Sequence, residues 1–423
     1  MDYTRKSYEI LDKIYRGGAY STIALGQVSG EDSHLVTRIV KGVLERDTEL
    51  EYIISRLVGR PAKNVLKLIL KQGIFCLKYM SSLPDYAVIN NHVELCKQLG
   101  KRQNAGFINA TLKNAAAGKY ALPEPSDGDL YLSVKYSKPL WFIEKLRADY
   151  GNEKAVEIIS VKPSDRLHIR VNGLKLTKND FENYIKRHNL EYSVSPAGGY
   201  YIKGGRLLDE LFLQGKITYM SESSMYAVKA LGIKPYSQVL DLCAAPGGKC
   251  VYAAELDTGG MVEAGDIYPH RVNLIKSYAK RMGVHNVDAC VRDAAEAHKN
   301  FTGRFDYVLA DVPCSGLGVF NRKPDVLLKK NADCADLTAL QKKILFNAAD
   351  YVKEGGILVY STCTLSKREN EDVVAEFLKT RKDFCLSKAD IPFVNDGIIT
   401  IFPDNEGRTG FFIARFVKNG LSA

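Results

Sequence analysis

The stretch Val239–Lys249, which reads VLDLCAAPGGK, constrains the fold of this chain more than any other. Val239 to Leu242 is an apolar run broken only by Asp241, the pattern of a buried strand with an acid near its exit. Pro246-Gly247-Gly248 then forces a tight turn, and Lys249 to Leu256 has the spacing of a helix start. Strand, glycine turn and helix form the first unit of a doubly wound α/β domain, where ligands sit outside the carboxyl ends of the strands. Glycines let a ligand approach the backbone, and the N–H groups of the new helix face it. The loop is not the GxGxxG dinucleotide fingerprint, and from Gly-Gly alone an ordinary βα turn is an equally good reading.

From Tyr236 onward the rhythm is strand, helix, strand, with strands expected at 238–242, 260–266, 287–291, 306–311 and 356–361. The second ends in Asp266, where doubly wound domains hold a ribose by its hydroxyls. Asp293 follows the third and can accept a hydrogen bond from an adenine amino group. Either acid alone is as often a cap of the following turn.

The preceding chain has a different texture. Residues 1–126 carry only helical periodicity, as at Leu35, Val36, Ile39, Val40 and Val43. The turn-rich connector Leu122–Gly128 marks a first boundary. Residues 127–220 mix a helix opened at Ser137–Phe142, a strand at Leu167–Val171, a helix through Phe181 and Ile185, and a hairpin over 191–203. The expected domains are therefore 1–126, 127–220 and 221–423. A length of 423 residues suits two to three of them.

The net charge of +10 is concentrated before residue 221, and the glycine-loop domain is nearly neutral. A basic front end suits a polyanion. Arg170, Lys186, Arg187 and Lys203, and the pair Arg322-Lys323, are candidate phosphate contacts. No run approaches the roughly 18 apolar residues of a membrane span, and the start lacks the apolar core of a signal peptide. Nine cysteines without CxxC pairs argue for free thiols in a reducing cytoplasm and against a metal site.

Two of those cysteines stand apart. Tyr307–Leu309 runs into Asp311-Val312-Pro313-Cys314, and Ile357–Tyr360 runs into Thr362-Cys363. In a sheet of order 3-2-1-4-5 the fourth and fifth strands are neighbours, so both thiols emerge at the rim that carries the glycine loop. Cys76, Cys96, Cys250, Cys290, Cys334 and Cys385 have no such context and read as packing.

DLCAAPGGK, the Asp-x-Pro-Cys turn and the Thr-Cys turn together resemble the motifs of the RsmB/Sun-type RNA cytosine-carbon-5 methyltransferases. Gly106–Lys113 looks like the end of the NusB-like helical domain carried by the ribosomal RNA members. Pro403–Ala414 is similar to their terminal hairpin. Where the family has Gln-Asp-Ser/Ala-Ser, this chain has Met220-Ser221-Glu222-Ser223.

The resemblance implies a multidomain α/β protein: an all-α NusB-like front, a small α+β linking piece and a Rossmann-like methyltransferase domain. It implies S-adenosylmethionine held along Cys243, Ala244, Ala245, Pro246, Gly247, Gly248 and Lys249, with Asp266 on the ribose, Asp293 near the adenine and Asp311 beside the site. It further implies a cytidine of 16S ribosomal RNA, single-stranded or in a loop, as substrate. In the family Cys363 would attack and Cys314 assist release, with Asp311 on the pyrimidine; spacing alone leaves the choice of cysteine open. A transfer RNA methyltransferase is the alternative within the class, and an RNA-binding factor with a vestigial core is the alternative outside it. A cytoplasmic monomer is expected.

Overall fold

The structure is a computed structural model and describes residues 2–419, apart from 27, 31, 204, 329–333 and 394–395. Its contacts divide the chain into two compact units: residues 1–160 with 323–330, and residues 161–322 with 331–423. These do not coincide with the three expected stretches. The helices Asp129–Tyr136, Leu140–Tyr150 and Asn152–Ser160 fall with the N-terminal helices, and the small sheet falls with the glycine-loop domain.

The first unit is helical throughout its described residues, as its 3.6-residue periodicity requires. Helix Asn64–Tyr79 is its axis, buried from Leu68 to Cys76. Gly42 on helix Ser33–Glu45 lets the Phe75 ring come against the backbone; a Cβ there would stand 1.9 Å from the ring tip. Polar ties join the later helices to this core. Glu49 is buried, accepts from Tyr79 Oη at 2.7 Å and pairs with Lys78 at 2.8 Å, while its own backbone N–H donates to Ser137 Oγ at 3.2 Å. A lone buried carboxylate would be costly; Tyr79 and Lys78 offset that here and make Glu49 a fastener.

In the second unit, β1 (Arg166–Val171), β2 (Tyr192–Val194), β3 (Tyr200–Lys203) and β4 (Ile217–Tyr219) make an antiparallel sheet of order β2-β3-β1-β4. Helix Lys178–Arg187, capped by Thr177 accepting from the Asp180 N–H at 3.1 Å, lays Phe181 and Ile185 onto it. β4 escaped the sequence reading because three residues show no period.

Arg170 departs from expectation. It is 2% exposed, forms a two-pronged pair with the Glu255 carboxylate and lies 4.6 Å over the Tyr252 ring, so it is a core cation and not a phosphate contact.

The large sheet holds β5 (Gln238–Asp241), β6 (Met261–Asp266), β7 (Val287–Val291), β8 (Phe305–Asp311), β9 (Val352–Thr362), β10 (Phe384–Leu386), β11 (Ile398–Ile401) and β12 (Phe411–Lys418). Its order is β7-β6-β5-β8-β9-β12-β10, with β11 paired to β12. The first five strands are parallel in the expected 3-2-1-4-5 order, and β12 joins β9 antiparallel. Leu240, Val308, Leu358 and Phe412 are fully buried on one face, and Leu309, Val359 and Ile413 on the other, which is why these strands read as near-continuous apolar runs. Asp311 pairs in register with Ser361, so β8 and β9 end side by side.

Replacing Arg170 by Ala leaves the Glu255 carboxylate unpaired in the interior. The expected loss is about 3–5 kcal/mol of unfolding free energy, read from the urea midpoint at neutral pH. A loss below about 1 kcal/mol, the size of an exposed pair, would show that the pair is not a core element.

Candidate active site

The loop after β5 is sewn to the neighbouring strand ends. The Leu242 N–H donates to the Leu309 carbonyl at 3.0 Å, and the Ala244 N–H to the Gly265 carbonyl at 2.8 Å. Gly247 sits at φ +115°, and a Cβ on it would lie 3.2 Å from Ile275 Cα and 3.3 Å from Tyr278 Cβ. Glycine is therefore required twice over, by conformation and by space. Helix Gly248–Leu256 starts at once, with Cys243, Ala245, Pro246, Gly248 and Lys249 at least partly exposed along the turn and Ala244 and Gly247 buried beneath it.

The acids expected beside this loop are in place, with different surroundings. Asp266 is buried; Oδ1 accepts the Tyr268 N–H at 3.2 Å, and Oδ2 stands 3.4 Å from Arg271 Nη2. Arg271 also reaches the Ala245 carbonyl at 3.3 Å, tying the glycine loop to the β6 exit. Asp293 Oδ1 accepts the Ala295 N–H at 2.8 Å, the bond of a turn cap, and its carboxylate is partly exposed. The Arg292 N–H donates to the Asp266 carbonyl at 3.0 Å, which sets the β7 exit against that of β6.

The two singled-out thiols meet. Cys314 Sγ and Cys363 Sγ are 3.2 Å apart, both partly exposed. The turns that carry them are locked by one fully buried carboxylate. Glu369 accepts from the Ser315 N–H at 2.9 Å, Ser315 Oγ at 2.6 Å and Gln341 Nε2 at 3.0 Å. Ser315 Oγ also meets Thr364 Oγ1 at 2.7 Å, and the Gly318 N–H donates to the Cys363 carbonyl at 2.9 Å. The Cys314 thiol is pushed well above its ordinary value by its hydrogen bond with Cys363, then by burial and by the nearby charges of Cys363 and Glu369.

Between the thiols and the glycine loop lies a charge cluster. Lys249 Nζ is 2.7 Å from Asp311 Oδ2, and Ser361 Oγ donates to Asp311 Oδ1 at 2.7 Å. Burial pulls Lys249 down, but Asp311, Asp241 and Cys363 together outweigh it and hold the ammonium charged. Phe411 covers the ammonium at 5.6 Å. Asp241 is fully buried and neither carboxylate oxygen meets a hydrogen-bond partner; the Cys243 N–H lies on its side without reaching bonding geometry. Burial first, then the charge of Asp311, raises Asp241 to about 7.

A family model described as 16S rRNA methyltransferase RsmB/F matches residues 228–417, and the NusB family model matches residues 7–117. A Bacillus subtilis protein named probable ribosomal RNA small subunit methyltransferase B is 33% identical, covering 97% of this chain and 98% of its own. The chain belongs to the RsmB/F methyltransferase family. A crystal structure titled PH0851 matches with TM-score 0.83 and 25% identity over 98% of this chain and 99% of its own. A methyltransferase homolog from Pyrococcus horikoshii matches with TM-score 0.60 and 28% identity over 70% and 100%.

As an RsmB/F methyltransferase the protein depends on S-adenosylmethionine. The residues on the rim fit such a group. Asp241 presents two unpartnered oxygens under the glycine turn, Asp266 keeps lone pairs for hydroxyls, and Ile267 and Tyr268 offer about half their surface beside it. Among the described residues no His, Cys, Asp and Glu cluster is arranged for a metal, and no helix is long and apolar enough to cross a membrane.

Several residues carry more, or less, than their sequence context implies. Glu369, Ser361, Gln341 and Arg271 shape the site and went unnoticed; polar residues after Thr-Cys in Ser366–Asn370 were the available signal for Glu369. Arg322 is spent on the Gly407 and Arg166 carbonyls, at 2.8 Å each, and is not a free basic side chain. Cys385 is exposed and Cys290 partly so, whereas Cys76, Cys96 and Cys250 are buried as packing requires; the side chain of Cys334 lies outside the described residues. Glu222, in the departing Met-Ser-Glu-Ser segment, is a buried acceptor for Tyr201 at 2.7 Å and Tyr226 at 2.8 Å.

The raised Asp241 sets a pH dependence. The folded state keeps its proton up to about 7, whereas an unfolded Asp loses it near about 4. Its contribution to stability is thus present below about 4 and is lost as pH rises toward about 7. Asp241→Asn should flatten the thermal midpoint against pH in that window, most visibly as a relative gain at its upper end. An unchanged slope would mean that Asp241 is ionised throughout.

Proposed function

We propose that this protein methylates carbon 5 of a cytidine in 16S ribosomal RNA through a covalent cysteine–cytosine adduct, with Cys363 as nucleophile. The observation that carries the reading is the meeting of Cys314 and Cys363 beside the Lys249–Asp311 pair, at the strand ends that also carry the glycine loop. The names of the curated relatives supply the ribosomal substrate.

Carbon 5 of cytosine is a weak nucleophile. Addition of the Cys363 thiolate to carbon 6 turns the ring into an enamine and makes carbon 5 electron-rich. The adjacent Lys249 ammonium favours the thiolate. S-adenosylmethionine, when bound, supplies the electrophilic methyl group. Asp311, held by Lys249 and Ser361, accepts from the cytosine amino group and so fixes the base; the negative charge that thiolate addition places on ring nitrogen 3 is met by a proton that passes from solvent through Asp311 and returns there when the adduct breaks down. After methyl transfer a base takes the proton from carbon 5, the carbon 5–carbon 6 double bond re-forms and Cys363 leaves as a thiolate; Cys314, whose thiol is pushed well above its ordinary value, lies beside that sulfur and assists its release. On this reading Cys243–Lys249, Asp266 and Asp293 line the methyl donor, with Asp241 beneath it. A cytidine free of its stack is required, since a base held in a duplex cannot present carbon 6 to a thiol.

Purified protein incubated with labelled methyl donor and unmodified 16S ribosomal RNA should give 5-methylcytidine, with transfer RNA in a parallel tube staying unlabelled. Cys363→Ala should abolish label, and Asp311→Asn should lower turnover on the order of 10²–10³-fold. Cys314→Ala should retain adduct formation and accumulate a covalent protein–RNA complex. Label confined to transfer RNA would move the substrate, and retained activity in Cys363→Ala would remove the proposed nucleophile.

A further inference from the structure

We propose that Cys314 and Cys363 are also a redox-modification site, which peroxide closes into a reversible intramolecular disulfide that blocks the active site. The block, though not the bond, rests on the proposed role of Cys363 as nucleophile.

The two sulfurs stand 3.2 Å apart on turns leaving adjacent parallel strands. A disulfide needs about 2.05 Å, so the sulfurs must approach by little more than about 1 Å, a small rotation about two side-chain torsions. The Val312 N–H is bonded to the Ser361 carbonyl at 3.1 Å and the Gly318 N–H to the Cys363 carbonyl at 2.9 Å, so the turns are already fastened to each other on both sides of the pair. The Glu369 network clamps them from beneath.

Reactivity follows from the same surroundings. Oxidation by peroxide needs a thiolate that solvent reaches and a second thiol within reach to resolve the first product. Both cysteines are partly exposed, and the Lys249 ammonium interacts electrostatically with Cys363. The Cys363 thiolate attacks one peroxide oxygen, the O–O bond breaks, and hydroxide leaves, giving a sulfenic acid. Cys314 then loses its proton and attacks that sulfur; the S–S bond forms as the S–O bond breaks, and water leaves. Two thiols and one peroxide become one disulfide and two waters. A site that must keep a reactive thiolate open to a nucleobase thereby gains protection from irreversible overoxidation.

The test uses the full chain, reduced and then exposed to hydrogen peroxide. After alkylation and digestion, mass spectrometry should find a linked peptide containing Cys314 and Cys363, and the intact chain should be lighter by two hydrogens. Methyl transfer to ribosomal RNA should fall in proportion to the linked fraction, and dithiothreitol should restore both. Cys385→Ser, which removes the exposed thiol, should leave the link and its reversal unchanged. Cys363 recovered as sulfinic or sulfonic acid, with Cys314 still alkylated as a free thiol, would overturn the proposal. So would a linked enzyme that retains full activity. A link that forms in protein inactive on every RNA even when reduced would support the bond and count against the proposed function alone.

Discussion

The active-site rim depends on one buried carboxylate. Glu369 has no exposure to solvent, and its acceptor capacity is met by a backbone N–H, a hydroxyl and an amide. An ion placed there without donors would cost several kcal/mol, so the Ser315 turn and the Thr364 turn can close only in the arrangement that supplies them. That arrangement is the one that sets the two sulfurs in contact. The meeting of the two sulfurs is thus a by-product of satisfying Glu369, and the thiols need not hold themselves in place.

A second constraint is electrostatic. Asp241, Asp266 and Asp311 stand at the exits of β5, β6 and β8, and the half-buried Lys249 ammonium is the cation that meets Asp311 and Asp241. Three carboxylates at such spacing cannot all ionise cheaply; Asp241 is driven toward the neutral form, by its burial first and then by the charge of Asp311. Lys249 therefore does two things at once: it pairs with Asp311 and interacts electrostatically with Cys363.

The sequence was legible where a pattern carries its own physics. Five strands and the rim they share follow from apolar runs ending in acids and from one glycine turn, their 3-2-1-4-5 order is what the methyltransferase resemblance implies, and the structure has them within a few residues. Cys314 and Cys363 were legible as a pair because neighbouring strands must end together. What escaped is what depends on three-dimensional neighbours. Arg170 looks like a surface base on an alternating strand, and only Glu255 and Tyr252, far along the chain, make it a core residue. Arg322 looks basic and available until the Gly407 and Arg166 carbonyls claim it. Glu369 and Ser361 carry no periodic signal at all. Polar residues in irregular segments acquire meaning only from the donors and acceptors the fold brings to them.

The placement of β12 bears on when the protein becomes competent. This strand follows every other strand in the chain, yet it lies between β9 and β10, and the Gly410 N–H at its entrance donates to the Gly318 carbonyl at 2.8 Å, against the Cys314 turn. The approach is so close that a Cβ on Gly318 would stand 2.3 Å from the Gly410 carbonyl oxygen. During synthesis the β8 and β9 turns therefore emerge well before the segment that braces them. Until β12 has left the ribosome and paired with β9, that edge stays open and the thiol turns lack their outer wall. A nascent chain in which β12 has not yet paired thus holds the two thiols in an unfinished site, whatever the state of the strands already made.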